Sequence, residues 1–339
     1  MSHSRRSVLK RGAGLLTAGA ATSLAGCSGG ADVGSGGSGG FDGGYAAFFT
    51  LTDWTNEVAG DRASFEDPVE VGRLGHGWTP DGTLAADVAS TDAFVYLDSP
   101  EFAWAQDLAA TLGADYDSVA VIDALADVEG DLLDWNHSHE GDGAEGGHDE
   151  GAEDEASGGD RQYDPHVWVD PVLAARMVET IATGLGEADP ENADAYADNA
   201  AAYGEQLAAV DSAFESVAED ADRDVAVIGG HNSFQYLEAR YGFRLHSPVG
   251  VSPQNEPSQS EIADTIELVN DEGIDTVLYD RFESTTLAET IVENSDATET
   301  RAVTPAGGTT QEWNDAGYGY LEQMTEVNVP AFERAFGVR

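Results

Sequence analysis

Val225-Ala226-Val227-Ile228-Gly229-Gly230-His231 reads as four apolar residues, two glycines and a histidine. A short apolar run without polar alternation is the pattern of a strand buried on both faces, as in a parallel sheet. Thr276-Val277-Leu278-Tyr279 repeats the pattern and ends at Asp280. Helices are predicted over 261–270, between these two strands, and over 284–294, after the second. Strand, helix, strand, helix is the grammar of an α/β layer. His231 and Asp280 then both stand at carboxyl ends of strands, where open α/β sheets place their ligands.

Working outward, the amino-terminal half carries the same alternation. Residues 45–51 form a strand candidate, and Asn56-Glu57-Val58-Ala59-Gly60 reads as the end of a short helix. Ala93-Phe94-Val95-Tyr96-Leu97 and Val119-Ala120-Val121-Ile122 are further buried-strand runs, with helical stretches predicted over 82–90 and 102–112. Two α/β lobes with mostly parallel sheets are therefore expected, at 45–188 and 221–339. Between them, Asp189-Pro190-Glu191 is a helix start, with proline in the first turn and acids complementing the dipole. Apolar and small residues recur from Ala193 through Tyr196, Tyr203, Leu207 and Val210 to Phe214. The linking segment 189–220 thus reads as a helix of about 28 residues, about 42 Å long, suited to a strut between lobes.

One stretch breaks the first lobe. Residues 136–160 hold nine acidic residues, His137, His139 and His148, and no large apolar side chain. Such a segment has nothing to bury and is expected to be a mobile surface loop.

Across 339 residues, 64 acids face 15 bases, a formal charge of −49, and the single lysine is Lys10. A nucleic-acid partner is excluded, because phosphate recognition needs a basic face. The hydrophobic share of 41% is ample for packed cores. A folded protein with an acidic, lysine-free surface is the reading, in the style of proteins that work in dense salt. Ser4-Arg5-Arg6-Ser7-Val8-Leu9-Lys10 is a twin-arginine pattern, and a weakly apolar run follows, too short to span a membrane. It ends in Leu24-Ala25-Gly26-Cys27, where cleavage before a lipid-modified cysteine is expected. Cys27 is the only cysteine and has no intrachain disulfide partner. Residues 1–26 are thus read as a targeting signal and 27–44 as a Gly/Ser-rich tether.

Six of the eight histidines fall in four segments. Three are in the loop just described; the others sit in distinctive phrases. These are Gly75-His76-Gly77-Trp78-Thr79-Pro80, Asp164-Pro165-His166-Val167-Trp168-Val169-Asp170-Pro171 and His231-Asn232-Ser233-Phe234-Gln235-Tyr236. Neutral imidazole is a preferred ligand of zinc. A shared placement in loops at strand ends would bring the three together, and Asp164 or Asp170 could fix the tautomer of His166.

In these phrases the chain resembles the metal-binding lipoproteins of zinc/manganese ABC importers, and within them the zinc-type, haloarchaeal-like members. Further marks are Ser252-Pro253-Gln254-Asn255-Glu256-Pro257-Ser258, Leu287-Ala288-Glu289-Thr290 and Tyr320-Leu321-x-x-Met324-x-x-x-Asn328. The resemblance implies two α/β lobes joined by one long rigid helix, with the metal in the inter-lobe cleft. It implies His76 and His166 as ligands from the first lobe and His231 from the second. A histidine at the third position favours zinc over manganese, as nitrogen ligands do generally.

Two departures stand out. Thr79 occupies a position where the family usually has glutamate. The Thr304-Pro305-Ala306-Gly307-Gly308 turn lacks the carboxylate that often serves as fourth ligand. Asp280, water, Glu283 or Glu312 would complete the site, Asp280 first because it ends a strand. His137, His139 and His148 fall where zinc-type members carry a metal-collecting loop. The resemblance further implies an ABC permease and its ATPase as partners, Zn2+ as the bound ion, no enzymatic activity, and lipid anchoring through Cys27 on the outer face of the cytoplasmic membrane. The competing readings are a manganese or other divalent-metal carrier, an adhesin-like lipoprotein, and a zinc hydrolase. No His-Glu-x-x-His phrase supports the last.

Overall fold

The computed structural model describes residues 40–134, 163–250 and 255–338. The targeting segment, Cys27, and His137, His139 and His148 with their loop lie outside the described residues. In the first lobe β1 (Gly43–Ala46), α1 (Phe49–Ala59), β2 (Ser64–Glu66), α2 (Leu84–Val88), β3 (Ala93–Tyr96), α3 (Ala103–Asp115) and β4 (Ala120–Asp123) build a parallel sheet of order β2-β1-β3-β4. Two helices follow, α4 (Pro171–Ala188) and α5 (Ala193–Asp220).

The second lobe contains β5 (Val225–Ile228), α6 (Gln235–Tyr241), β6 (Arg244–His246), α7 (Gln259–Asp271), β7 (Thr276–Asp280), α8 (Thr286–Glu293) and β8 (Glu299–Val303). Its sheet, again parallel, has the order β6-β5-β7-β8, the same winding as the first. Then come α9 (Gln311–Ala316), the short α10 (Tyr320–Glu322), a π-helical turn at Gln323–Asn328 and α11 (Val329–Ala335). Strand alternation explains why β5 and β7 read as unbroken apolar runs. Ala226, Ile228 and Leu278 face the large shared core, while Val225, Val227 and Val277 face a second core under α7 and α8.

α5 has 28 residues and buries Tyr196, Ala200, Tyr203, Leu207, Val210, Phe214 and Val217. That alternating spacing of four and three is one continuous stripe along the helix. Its first half is tied to α1: Asn199 donates to the Val58 carbonyl at 2.9 Å, and the Tyr203 hydroxyl to Asp53 at 3.4 Å. Its second half packs in the other lobe, where Phe214 meets Tyr241 and Phe332 at 5.6 and 5.5 Å between ring centroids. One helix is thus built into both cores.

The differences from the sequence reading are local. The strand expected at 45–51 is shorter and earlier, because α1 already contains Leu51. Glycines read as tether begin it: at Gly44 a side chain would stand 1.9 Å from the Ala93 carbonyl oxygen. The linking helix starts at Ala193, past Pro190, with the Asp189 carboxylate accepting from Asn192 and the Tyr196 hydroxyl. β2, β6 and β8 went unread; their polar residues hide the strand period. The long helix, the two lobes and the parallel sheets are as expected.

Candidate metal centre

The second lobe supplies its half of the site directly from the sheet. β5 and β7 are hydrogen-bonded neighbours on opposite sides of the point where the winding reverses, so their carboxyl ends open onto a crevice. His231 follows β5 by two glycines, and Asp280 is the last residue of β7. Gly230 leaves room for the Glu283 carboxylate, which a side chain there would meet at 2.7 Å and push aside. That opening brings Glu283 to His231, whose Nδ1 lies 2.5 Å from Glu283 Oε1. Nε2 of His231 faces the Ser233 hydroxyl at 2.7 Å. His231, Asp280 and Glu283 form one compact group of possible ligand atoms, all within 4.8 Å of one another.

The first lobe supplies its half from loops. His76 lies in the connection between β2 and α2, braced by aromatic side chains: Trp104 Nε1 donates to the Gly75 carbonyl at 3.4 Å, and Trp78 packs edge-on against Trp104 at 4.9 Å. His166 opens a 3-10 turn, Val167–Val169, that leads into α4. Asp164 Oδ1 accepts from the His166 backbone N–H at 3.0 Å and holds its Nδ1 at 2.7 Å, which turns Nε2 toward the crevice. Trp168, buried two residues on, donates from Nε1 to the Pro305 carbonyl of the second lobe at 2.6 Å.

The three imidazoles converge. Ring centroids are 6.2 Å apart for His76 and His166, 6.5 Å for His76 and His231, and 5.6 Å for His166 and His231. Tetrahedral zinc held by imidazole nitrogens at about 2.1 Å would bring ring centroids to roughly 5–5.5 Å, a small contraction from here. Nε2 of His76, Nε2 of His166 and Oδ2 of Asp280 are buried without a hydrogen-bond partner. Orphaned buried polar atoms are costly unless something completes them. Two bare imidazole nitrogens, one carboxylate oxygen and the nearby His231 are a donor set that fits a single cation.

Electrostatics favour metal over protons at one ligand and set up a competition at others. Burial, reinforced by the other two imidazoles, lowers the His76 pKa to about 4, so its lone pair is free at neutral pH. Burial opposes charge on His231, yet the Glu283 hydrogen bond outweighs it and moves that pKa upward. Burial raises Asp280 to about 7. Burial also works against ionised Glu283, but its bond to His231 brings the net shift down.

The rings of His76, His166 and His231 therefore converge, and Asp280 and Glu283 lie beside His231, while Glu312 is not among them. Glu312 is exposed and pairs with Arg281 at 3.6 Å. Only His231 stands directly beyond a strand; His76 and His166 sit on longer connections. Asp170 caps α4 and pairs with Arg240, leaving Asp164 alone to orient His166. Sequence reading missed Glu283 as the partner of His231, although Asp280-x-x-Glu283 directly after a strand was a usable signal. Ser233 was missed also. The turn 304–308, which lacks a carboxylate, is held tightly instead. Ala306 is in the left-handed region at φ 56°, its carbonyl accepts from the Thr50 hydroxyl, and Asn328 bonds both the N–H and the carbonyl of Thr304.

Two lobes are wound alike, one helix is built into both, and three imidazoles converge between them. Residues 45–335 match the model of the ZnuA family, described as the periplasmic component A of the zinc-uptake complex, and the chain belongs to that family. It is 31% identical over 287 residues to the zinc-binding lipoprotein AdcA of Streptococcus pneumoniae, covering 85% of this chain and 54% of AdcA. The chain spans about half the length of the streptococcal relatives it matches. The crystal structure of the Zn(II)-bound ZnuA-like domain of S. pneumoniae AdcA matches 88% of this chain and 99% of its own, with TM-score 0.69 and 27% identity. The metal-dependent lipoprotein YcdH of Bacillus subtilis shares the fold, with TM-score 0.71 at 21% identity over 87% of this chain and 99% of its own.

Proposed function

We propose that this protein captures Zn2+ outside the cytoplasmic membrane and passes it to the permease and ATPase of an ABC importer. One observation carries the reading: His76, His166 and His231, from three separate segments, converge with buried Asp280 and leave nitrogen and oxygen atoms unpartnered. Three nitrogens and one carboxylate oxygen suit zinc better than manganese, which prefers oxygen donors. The relatives named for zinc binding, and the zinc-bound AdcA domain, support the same cargo. The role is binding and release, not catalysis.

The rest of the proposal concerns placement. A twin-arginine signal exports the chain, and Cys27 carries the lipid that keeps it beside the permease. A single acyl chain gives only marginal membrane binding, so two or more chains are expected on the cysteine. The acidic, lysine-free surface suits work in concentrated salt. The loop histidines His137, His139 and His148 serve as weak outer collectors. The test is zinc content after gel filtration in high salt, for wild type and for His76→Ala, His166→Ala and His231→Ala. One zinc per wild-type chain and loss in each variant supports the reading; zinc retained tightly by all three variants overturns it.

A further inference from the structure

Resting on the zinc reading of the site, we infer that Tyr236, whose hydroxyl bonds to Leu133 and Asp164 rather than to a candidate ligand, is a positioning residue that holds His166 at its working distance from His231. Tyr236 lies on α6, in the same segment as His231, and is buried, 2% exposed. Its hydroxyl reaches across to the first lobe and makes two bonds there. It accepts from the Leu133 N–H at 3.2 Å and donates to the Asp164 carbonyl at 2.7 Å.

Those two partners are themselves joined, because Asp164 N–H donates to the Leu133 carbonyl at 2.9 Å. Asp134 and Tyr163 form an antiparallel bridge beside them. Asp164 is thus held at three points, backbone N–H to Leu133, backbone carbonyl to Tyr236, and carboxylate Oδ1 to the N–H and Nδ1 of His166, while its Oδ2 is buried without a partner. It is 1% exposed, so these bonds are shielded from bulk solvent. The carboxylate that turns His166 is therefore fixed in space by a hydroxyl from the opposite lobe. Since Tyr236 and His231 share one strand-loop-helix unit, that hydroxyl sets the distance between the two imidazoles. A second cross-lobe tie, Arg240 Nε to both Asp170 oxygens at 2.7 and 2.6 Å, holds the chain four residues after His166.

The same helix supplies a control. Tyr241 also donates its hydroxyl, but to a carboxylate on α5, Asp211 at 2.8 Å, rather than to the first-lobe segment that carries His166. Tyr236→Phe and Tyr241→Phe each remove one hydroxyl and leave the ring in place. The experiment compares wild type, both variants, Asp164→Asn and the Tyr236→Phe/Asp164→Asn double variant. It reads zinc affinity by chelator competition, the Co(II) absorption spectrum of the cobalt-loaded protein, and the melting temperature without metal.

Tyr236→Phe is expected to weaken zinc by about tenfold or more, the scale for groups that orient a ligand. It should also shift the Co(II) bands. Tyr241→Phe should leave both at wild-type values, even where the two variants melt at similar temperatures. Because Tyr236 acts through Asp164, the double variant should lose less than the two single losses combined. Wild-type affinity and spectrum in Tyr236→Phe overturns the inference, as do equal zinc losses in the two Phe variants. Absence of tight zinc in the wild type would instead count against the zinc reading, leaving the two failures distinguishable.

Discussion

The two lobes share one winding order but contribute to the proposed metal centre by different means. In the second lobe the proposed ligands come from the sheet: His231 follows β5 by two glycines and Asp280 ends the neighbouring β7, at the reversal of strand order. In the first lobe the sheet offers none. His76 and His166 are presented by loops braced with Trp78, Trp104 and Trp168 and by the Asp164 carboxylate. A sheet-borne ligand is placed by backbone pairing and survives small side-chain changes. A loop-borne ligand is only as fixed as the side chains around it. The first lobe should therefore be the sensitive half, and mutations should show it.

The largest effect belongs to the ligands themselves. His166→Ala and His231→Ala should each weaken zinc by more than about 100-fold, beyond the about 10- to 100-fold typical of a group that only orients a ligand. Elemental analysis and chelator competition check this. Equal zinc binding by either variant and wild type would break the comparison at its root.

Next comes Asp280, where affinity and stability should move in opposite directions. Its folded pKa is raised from 3.8 to about 7, so the metal-free protein holds a proton there that the unfolded chain gives up. The stabilisation from that proton is complete below pH 3.8 and is lost as pH rises through about 7. Asp280→Asn should therefore raise the metal-free melting temperature at pH 8 and change it little at pH 4, while weakening zinc by about tenfold or more. Thermal melts across that range with and without zinc are the check.

The same protons compete with metal. Asp280 must ionise and the upward-shifted His231 must lose its proton for zinc to bind, so affinity should fall as pH drops below about 7. His76, lowered to about 4, should add nothing to this slope above pH 5. Titrations in several buffers would count the protons released, and a flat pH profile would contradict the assignment of both groups.

Trp168→Phe tests the loop-borne half more gently. It strands the buried Pro305 carbonyl that now accepts at 2.6 Å, a loss of about 1–3 kcal/mol in stability. Zinc affinity should fall with it, because the same turn carries His166. The smallest effect is expected from deleting residues 136–160, which should leave the tight site intact and remove only weak additional zinc. Calorimetry would show loss of the tight site if that expectation is wrong.

Much of this was legible in the sequence, unevenly and for physical reasons. β5 and β7 were plain because both faces are buried and the apolar run is unbroken. The long helix was plain because its stripe repeats without interruption from Tyr196 to Val217. β2, β6 and β8 were not, since Ser64-Phe65-Glu66, Arg244-Leu245-His246 and Glu299-Thr300-Arg301-Ala302-Val303 put polar side chains outward on short strands. The three histidines could be read from their phrases, and Asp280 from its place at a strand end. Glu283 could be read as a candidate from its place just after β7, but its pairing with His231 could not, because only the fold sets the two side by side. Nor could the tie from Tyr236 to Asp164, which joins positions 72 apart in the chain.

X-ray absorption at the zinc edge on the loaded wild-type protein tests the central claim most directly. Donors from both lobes predict three imidazole nitrogens and one oxygen at about 2.0–2.2 Å, with one imidazole lost in each of His76→Ala, His166→Ala and His231→Ala. A first shell with two or fewer imidazoles in the wild type would contradict a centre assembled across the cleft.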